Sequence, residues 1–212
     1  MDPKEILDPY DASSIAALSD GIFGVALTLL VLDVHLPGTS TDHLARQLLS
    51  LWPRFYSFGL SFAVVAAYWV AYHRLLAHIV AYDRPLLLRN FAFLAFVVLT
   101  PFPTSLVGEG YFVTQGDARV AWIVYAGTLA LVGLTLAWLW QCATARNLTN
   151  PKLTPSAAEY LLIRTLVSPL IFVLSMGVAA TSAPLAPWTL VLLIPAQALV
   201  AQRYAQAIAR PR

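Results

Sequence analysis

Six long apolar runs, at about 15–35, 53–77, 86–108, 119–145, 157–181 and 185–207, constrain this chain more than any motif in it. A helix needs about 20 mostly apolar residues to cross a bilayer. Six such runs with short connections use up nearly all of residues 1–212, which predicts a single all-α transmembrane domain and leaves no room for a separate soluble one. The runs are long and do not alternate, so they read as helices and not as barrel strands. Charged residues make up 11% of the chain, against roughly 25% in soluble domains, too few to cover a water-facing surface of this size.

The breaks between the runs end helices for identifiable reasons. HLPGTSTDH (35–43), AHIVAYDRP (77–85) and GEGYFVTQGD (108–117) each combine glycine, proline or charge, and ATARNLTNPKLTP (143–155) does the same. TSAPLAP (181–187) is so short that the last two spans must form an antiparallel hairpin. With an even number of spans both termini share a side. Ten of the 13 Lys and Arg fall on that side, leaving only Arg46, Arg54 and Arg119 opposite. By the positive-inside rule both termini are expected in the cytoplasm of a multi-pass plasma-membrane protein. The polar, net acidic start, MDPKEILDPYDASS, lacks the basic n-region of a cleavable signal, so the first run reads as a mature helix. The basic tail ending in Arg210 and Arg212 fits topology and lipid contact, not nucleic acid. Cys142 is the single cysteine, sits in an apolar stretch and reads as a small buried residue.

The chemistry is concentrated in the first run. Asp20 opens an otherwise apolar helix, where an ionisable group is costly and marks function by default. At 100° per residue, Val25, Leu29 and Leu32 share one stripe, Thr28 lies beside it and Asp20 points well away. Two readings are open at this point. On a symmetry axis the stripe stacks apolar rings, a constriction that gates by dewetting; otherwise it is ordinary helix packing, with Ser19 and Asp20 capping the helix start. If Asp20 turns into the bundle it needs a partner. His73 and Arg74 at the end of the second span, and Arg89 and Asn90 at the start of the third, are in reach.

Ser19-Asp20-Gly21, followed by Thr28-Leu29-Leu30-Val31-Leu32-Asp33 and Pro37, resembles the first-helix signature of the TMEM175 family of lysosomal and prokaryotic potassium channels. Tyr68-Trp69-Val70-Ala71-Tyr72-His73-Arg74 looks like that family's second-span Trp and His segment. Asn90-Phe91 and Pro101-Phe102-Pro103-Thr104 look like its third span. These matches cover about the first half of the chain in the right order; the second half agrees only in span count and hydrophobicity. The resemblance implies a subunit of a potassium-permeable channel without a carbonyl-lined filter, its pore lined by first helices. Only one copy of the motif is present, with no second Ser-Asp-Gly after residue 110, so it implies a homotetramer that passes monovalent cations, K+ foremost, with no cofactor. On the family pattern Val25 makes the narrowest ring, with Leu29 and Leu32 above it and Thr28 beside the pathway. Ser19, Asp20, Trp69, His73 and Asn90 form the motif's network. The chain departs from the signature at Ser14 and Leu18, where the family has arginine and phenylalanine. The usual charge partner of Asp20 is thereby lost. Val25 is also smaller than the isoleucine or leucine expected at that ring.

Asp33 and His35 close the first span on the outer side. A ring of Asp33 carboxylates would concentrate cations at the mouth; the alternative is interfacial anchoring, which is the reading for His35. His35 and His43 lie on the opposite side from His73 and His78, so no metal site is expected. No nucleophile elbow, phosphate loop or zinc signature is present, so an enzyme is not expected. The rival to a channel is a proton-coupled secondary transporter relaying through Asp20 and His73, although the paired inverted repeats of such carriers are not visible.

Overall fold

The computed structural model describes residues 12–35, 44–110 and 114–208. Among the described residues six helices are long and apolar enough to span a membrane: Ser13–Asp33, Trp52–Leu76, Arg84–Glu109, Gly116–Ala145, Pro155–Thr181 and Ala183–Tyr204. These lie within two to three residues of the expected runs. In finer detail, α1 (Ala12–Leu29) ends in a 3₁₀ turn (Leu30–Asp33), and α3 (Trp52–Leu76) follows a short α2 (Leu44–Ser50). The third span is α4 (Arg84–Leu99) and α5 (Pro101–Gly110), the fourth α6 (Gln115–Ala145) and the fifth α7 (Pro155–Thr181). The sixth begins as a ten-residue 3₁₀ helix (Ala183–Leu192) and continues as α8 (Leu193–Ile208).

Local chemistry sets the ends. Asp83 caps α4 by accepting from Leu86 N at 2.9 Å, with Pro85 in the first turn, and Thr154 caps α7 by accepting from Ala157 N, ahead of Pro155. Asn147 stops α6 with φ 54°. Its N–H bonds Thr144 O and that of Leu148 bonds Ala143 O, which is the Schellman pattern with asparagine in place of glycine. The freed chain then pairs with the second-to-third connection: Val80 N donates to Leu148 O at 2.9 Å and Asn150 N to His78 O at 2.8 Å. Arg146 pairs with Asp83 alongside. These two basic connections therefore share one end of the bundle, as the charge bias required. Tyr82 is buried beneath them, and burial pushes its phenol above the ordinary value.

Two irregularities interrupt the spans, the first at the prolines expected to bend the third and the second without a signal in the sequence. The third span breaks at Thr100, because Pro101 and Pro103 lack the N–H groups that would bond Val97 O and Leu99 O. Thr100 compensates: its N–H shifts to Val97 O at 3.1 Å and its hydroxyl takes Phe96 O at 3.2 Å, while Thr104 Oγ1 reaches Thr100 O at 2.9 Å. The 3₁₀ opening of the sixth span is held by Ser175, whose Oγ donates to Ala186 O at 2.9 Å and accepts from Trp122 Nε1 at 2.9 Å.

The fourth span is the most buried and forms the centre of the bundle, packed on the third and fifth. Pro169 in mid-α7 fits because Gly133 faces it: a Cβ there would lie 2.7 Å from Pro169 Cδ and 2.8 Å from the Tyr68 hydroxyl. The first span touches chiefly the second and third and lies on the flank of the bundle.

Candidate functional site

The site forms where the first span meets the second and third. Ser19 and Asp20 are consecutive, as are Tyr72 and His73, and consecutive helical residues point about 100° apart. The two pairs therefore form two rungs between spans. On the inner rung Ser19, Tyr72 and Asn90 are all fully buried. Tyr72 OH lies 2.7 Å from Ser19 Oγ and donates to Asn90 Oδ1 at 2.8 Å, and Asn90 Nδ2 reaches Ser19 Oγ at 3.4 Å. If Ser19 donates to Tyr72, each group donates to the next round a closed ring; Ile15 O, 2.8 Å away, competes for the Ser19 proton. The Tyr72 ring stacks on Phe93 at 5.1 Å and lies near Phe23. Phe23 and Phe93 are also in contact, so the polar ring is sealed by aromatic side chains.

The outer rung is Asp20, Trp69 and His73. Asp20 Oδ1 accepts from Trp69 Nε1 at 2.9 Å and lies 2.7 Å from His73 Nε2. The Trp69 and His73 rings meet edge to face at 4.5 Å, one helical turn apart. His73 is thus the charge partner of Asp20; Arg74, Arg89 and Asn90 do not reach it. Asp20 meets the second span at the edge of the bundle. Its side chain is 46% exposed in the single chain, because the first span has neighbours on one flank only.

The stripe is exposed along its length. Val25 (56%), Leu29 and Leu32 (67%) face outward, with Thr28 beside them donating to Val25 O at 2.8 Å. Gly21 and Gly24 on the same side have nothing near the place a Cβ would occupy. Phe23, Ala26 and Leu30 bury the opposite face. At the outer end Asp33 sits partly buried, with Glu109, His35 and Arg54 in electrostatic reach, and Arg54 Nη1 donates to His35 O at 2.8 Å. No cluster of metal-ligating side chains occurs among the described residues, and His43 lies outside them.

Sequence reasoning missed Tyr72, the hub of the inner rung. It also missed the second polar relay: Thr104 Oγ1 to Ser61 Oγ at 2.8 Å and Ser61 Oγ to Tyr125 OH at 3.2 Å, linking spans two, three and four. Tyr72 stands inside the Trp and His segment, four residues after Tyr68 and beside His73, so its facing was the available signal.

Residues 14–101, which hold both rungs and the stripe, match the family model described as endosomal/lysosomal potassium channel TMEM175. A potassium channel of Chamaesiphon minutus is 36% identical over 152 residues, covering 70% of this chain and 74% of that one. The chain belongs to the TMEM175 family. A potassium channel of Streptomyces collinus is 31% identical over 179 residues, covering 82% of this chain and 85% of its own. The crystal structure of a lysosomal potassium-selective channel TMEM175 homolog from Chamaesiphon minutus superimposes with a TM-score of 0.73 at 30% identity, over 91% of this chain and 97% of that one. That superposition carries the likeness into the fourth to sixth spans, where the sequence motif is silent. These TMEM175 relatives are channels and not enzymes.

Proposed function

We propose that this TMEM175 protein is a potassium-permeable channel subunit, a single six-span domain that works as a homotetramer with its first helix lining the pore. The observation that carries the reading is the two-sided character of that helix. One face is buried against spans two and three, and the other exposes Val25, Thr28, Leu29 and Leu32 beside two glycines with open space over them. Small residues let backbones of neighbouring membrane helices approach, so Gly21 and Gly24 suit close first-helix packing, with Val25, Leu29 and Leu32 forming stacked apolar rings. The potassium channels among the relatives supply the ion. Ser19, Asp20, Trp69, His73 and Asn90 then act as the network that fixes the pitch and rotation of the pore helix, and Asp33 places carboxylates at the outer mouth. Both termini are cytoplasmic on this reading, in the plasma membrane, by the charge bias.

The deciding experiment is a bi-ionic reversal potential, potassium against sodium, on purified protein in planar bilayers. Discrete currents reversing toward the potassium equilibrium potential are expected, and Val25→Asn should hydrate the constriction and raise the leak. Unchanged conductance in Val25→Asn removes the stripe from the pore. A second reading keeps some ground because the third span is broken at Thr100 and Asp20 contacts His73: a proton-coupled carrier, which predicts slow flux that requires a proton gradient.

A further inference from the structure

Away from the first helix, the second, fifth and sixth spans enclose a long cavity of about 1130 Å³, larger than the roughly 300–1,000 Å³ typical of small-molecule sites. Its walls are apolar over most of their length, with Val64, Ala67, Phe172 and Leu190 among them. Trp52 stands at one end, and Arg74, Arg164 and Gln197 mark the other. Trp188 is 71% exposed on the rim and Ile194 77%, so the cavity opens sideways, toward where lipid lies.

The charged end is unusual for such a place. Arg74 and Arg164 are close enough to repel each other, and no carboxylate among the described residues pairs with either. Arg164 is held by a neutral partner, Nη1 donating to Tyr160 OH at 2.6 Å. Beside them Gln197 Nε2 donates to Arg164 O at 3.2 Å, while its Oε1 is buried without a hydrogen-bond partner. Two cations call for an anion, and the orphan acceptor calls for a hydroxyl donor. A basic pocket between membrane helices over an apolar slot meets both demands with one class of ligand.

We propose that this groove binds an anionic glycerophospholipid with a hydroxylated headgroup, such as phosphatidylglycerol, its phosphate between Arg74 and Arg164, a headgroup hydroxyl on Gln197 and its acyl chains along spans two, five and six. The assignment is independent of the channel reading. The test is native mass spectrometry of the full-length protein in detergent with added phosphatidylglycerol or phosphatidylcholine. Phosphatidylglycerol should be retained preferentially, and Arg74→Gln with Arg164→Gln should weaken it roughly 25-fold, about fivefold for each arginine, without changing phosphatidylcholine. Arg74→Lys with Arg164→Lys should keep most of the binding, and inorganic phosphate should not compete. Equal retention of the two lipids, wild-type binding by the Gln pair, or loss of binding by a Lys pair of unchanged thermal stability overturns the proposal. So does displacement by inorganic phosphate. A fall in oligomer mass in the Gln pair, with lipid adducts per chain unchanged, would assign the groove to a second copy of the chain instead.

Discussion

Replacing Tyr72 by Phe isolates one hydroxyl at the centre of the inner rung. The ring keeps its stack on Phe93 and its contact with Phe23, so packing is preserved and only the hydrogen bonds go. Ser19 still has Ile15 O at 2.8 Å, whereas Asn90 Oδ1, fully buried, loses its donor. An unsatisfied buried acceptor costs about 1–3 kcal/mol, and single interhelical bonds in membrane proteins average ~0.6 kcal/mol with a maximum near 1.7. Tyr72→Phe should therefore destabilise by about 1–2 kcal/mol in an SDS titration from mixed micelles followed by tryptophan fluorescence. Adding Asn90→Leu removes the orphaned amide and replaces it with an apolar group of similar size. The double variant should then be more stable than Tyr72→Phe alone, because deleting both partners is nearly neutral where deleting one is not. Additive losses within about 0.3–0.5 kcal/mol would refute the closed ring and leave Tyr72 as a packing residue.

Asp20→Asn should leave the unfolding midpoint of the single chain almost unchanged, since an amide oxygen can still accept from Trp69 and His73, whereas Asp20→Leu should lose both bonds at about 1 kcal/mol in all for groups this exposed; size-exclusion chromatography in detergent shows whether either variant also loosens the oligomer. Gly133→Ala forces a Cβ against Pro169 and the Tyr68 hydroxyl and should cost about 1–3 kcal/mol by overpacking, read by thermal unfolding, while Gly24→Ala, with open space around it, should not destabilise the single chain. Asp83→Asn keeps a cap for Leu86 N and loses only a partly exposed ion pair with Arg146, worth about 0.2–1 kcal/mol; Asp83→Ala loses the cap as well and should fall by about 1 kcal/mol more. Ser175→Ala strips Trp122 Nε1 of its partner and cuts the tie from the fifth span to Ala186 O, which keeps only Thr189 Oγ1 from its own helix, and should fray the start of the sixth span, visible as faster amide exchange over 183–192.

How much of this was legible depends on whether the information is local. Span number and ends follow from hydrophobic run length and from caps such as Asp83, Thr154 and Asn147, which act within a few residues. The stripe of Val25, Leu29 and Leu32 was readable because helical periodicity fixes facing. The Asp20–His73 contact was one of four candidates, and choosing among them required the packing of α1 on α3, a tertiary quantity. A charge in an apolar run calls for a partner wherever it is buried, but how far Asp20 is buried was not readable. That depends on how many helices surround the first span, and it has neighbours on one flank only. The 3₁₀ opening of the sixth span was hidden because its stabiliser, Ser175, is supplied by another helix. The break at Thr100 was visible only as two prolines, whose consequence depends on whether nearby hydroxyls can satisfy the freed carbonyls.

Three consecutive residues of the second span divide its duties. Tyr72 faces the buried ring, His73 faces Asp20 and Arg74 faces the groove. The two rungs are unequal in strength. The inner one is fully buried and every member is satisfied, so breaking it leaves orphaned polar groups out of reach of water. The outer one is a half-exposed pair, for which about 0–1 kcal/mol is usual. A displacement of the first helix against the second should therefore part Asp20 from Trp69 and His73 before it parts Ser19 from Tyr72. Any rotation of the second span that loosens the outer rung must also swing Arg74, one residue along, relative to Arg164. If the second span turns as a rigid helix, a shift of the first helix would reach the proposed lipid groove directly through that turn. A variant that weakens the outer rung, such as Trp69→Phe, should alter phosphatidylglycerol retention by the otherwise unaltered groove; identical retention would show that the second span does not transmit the motion.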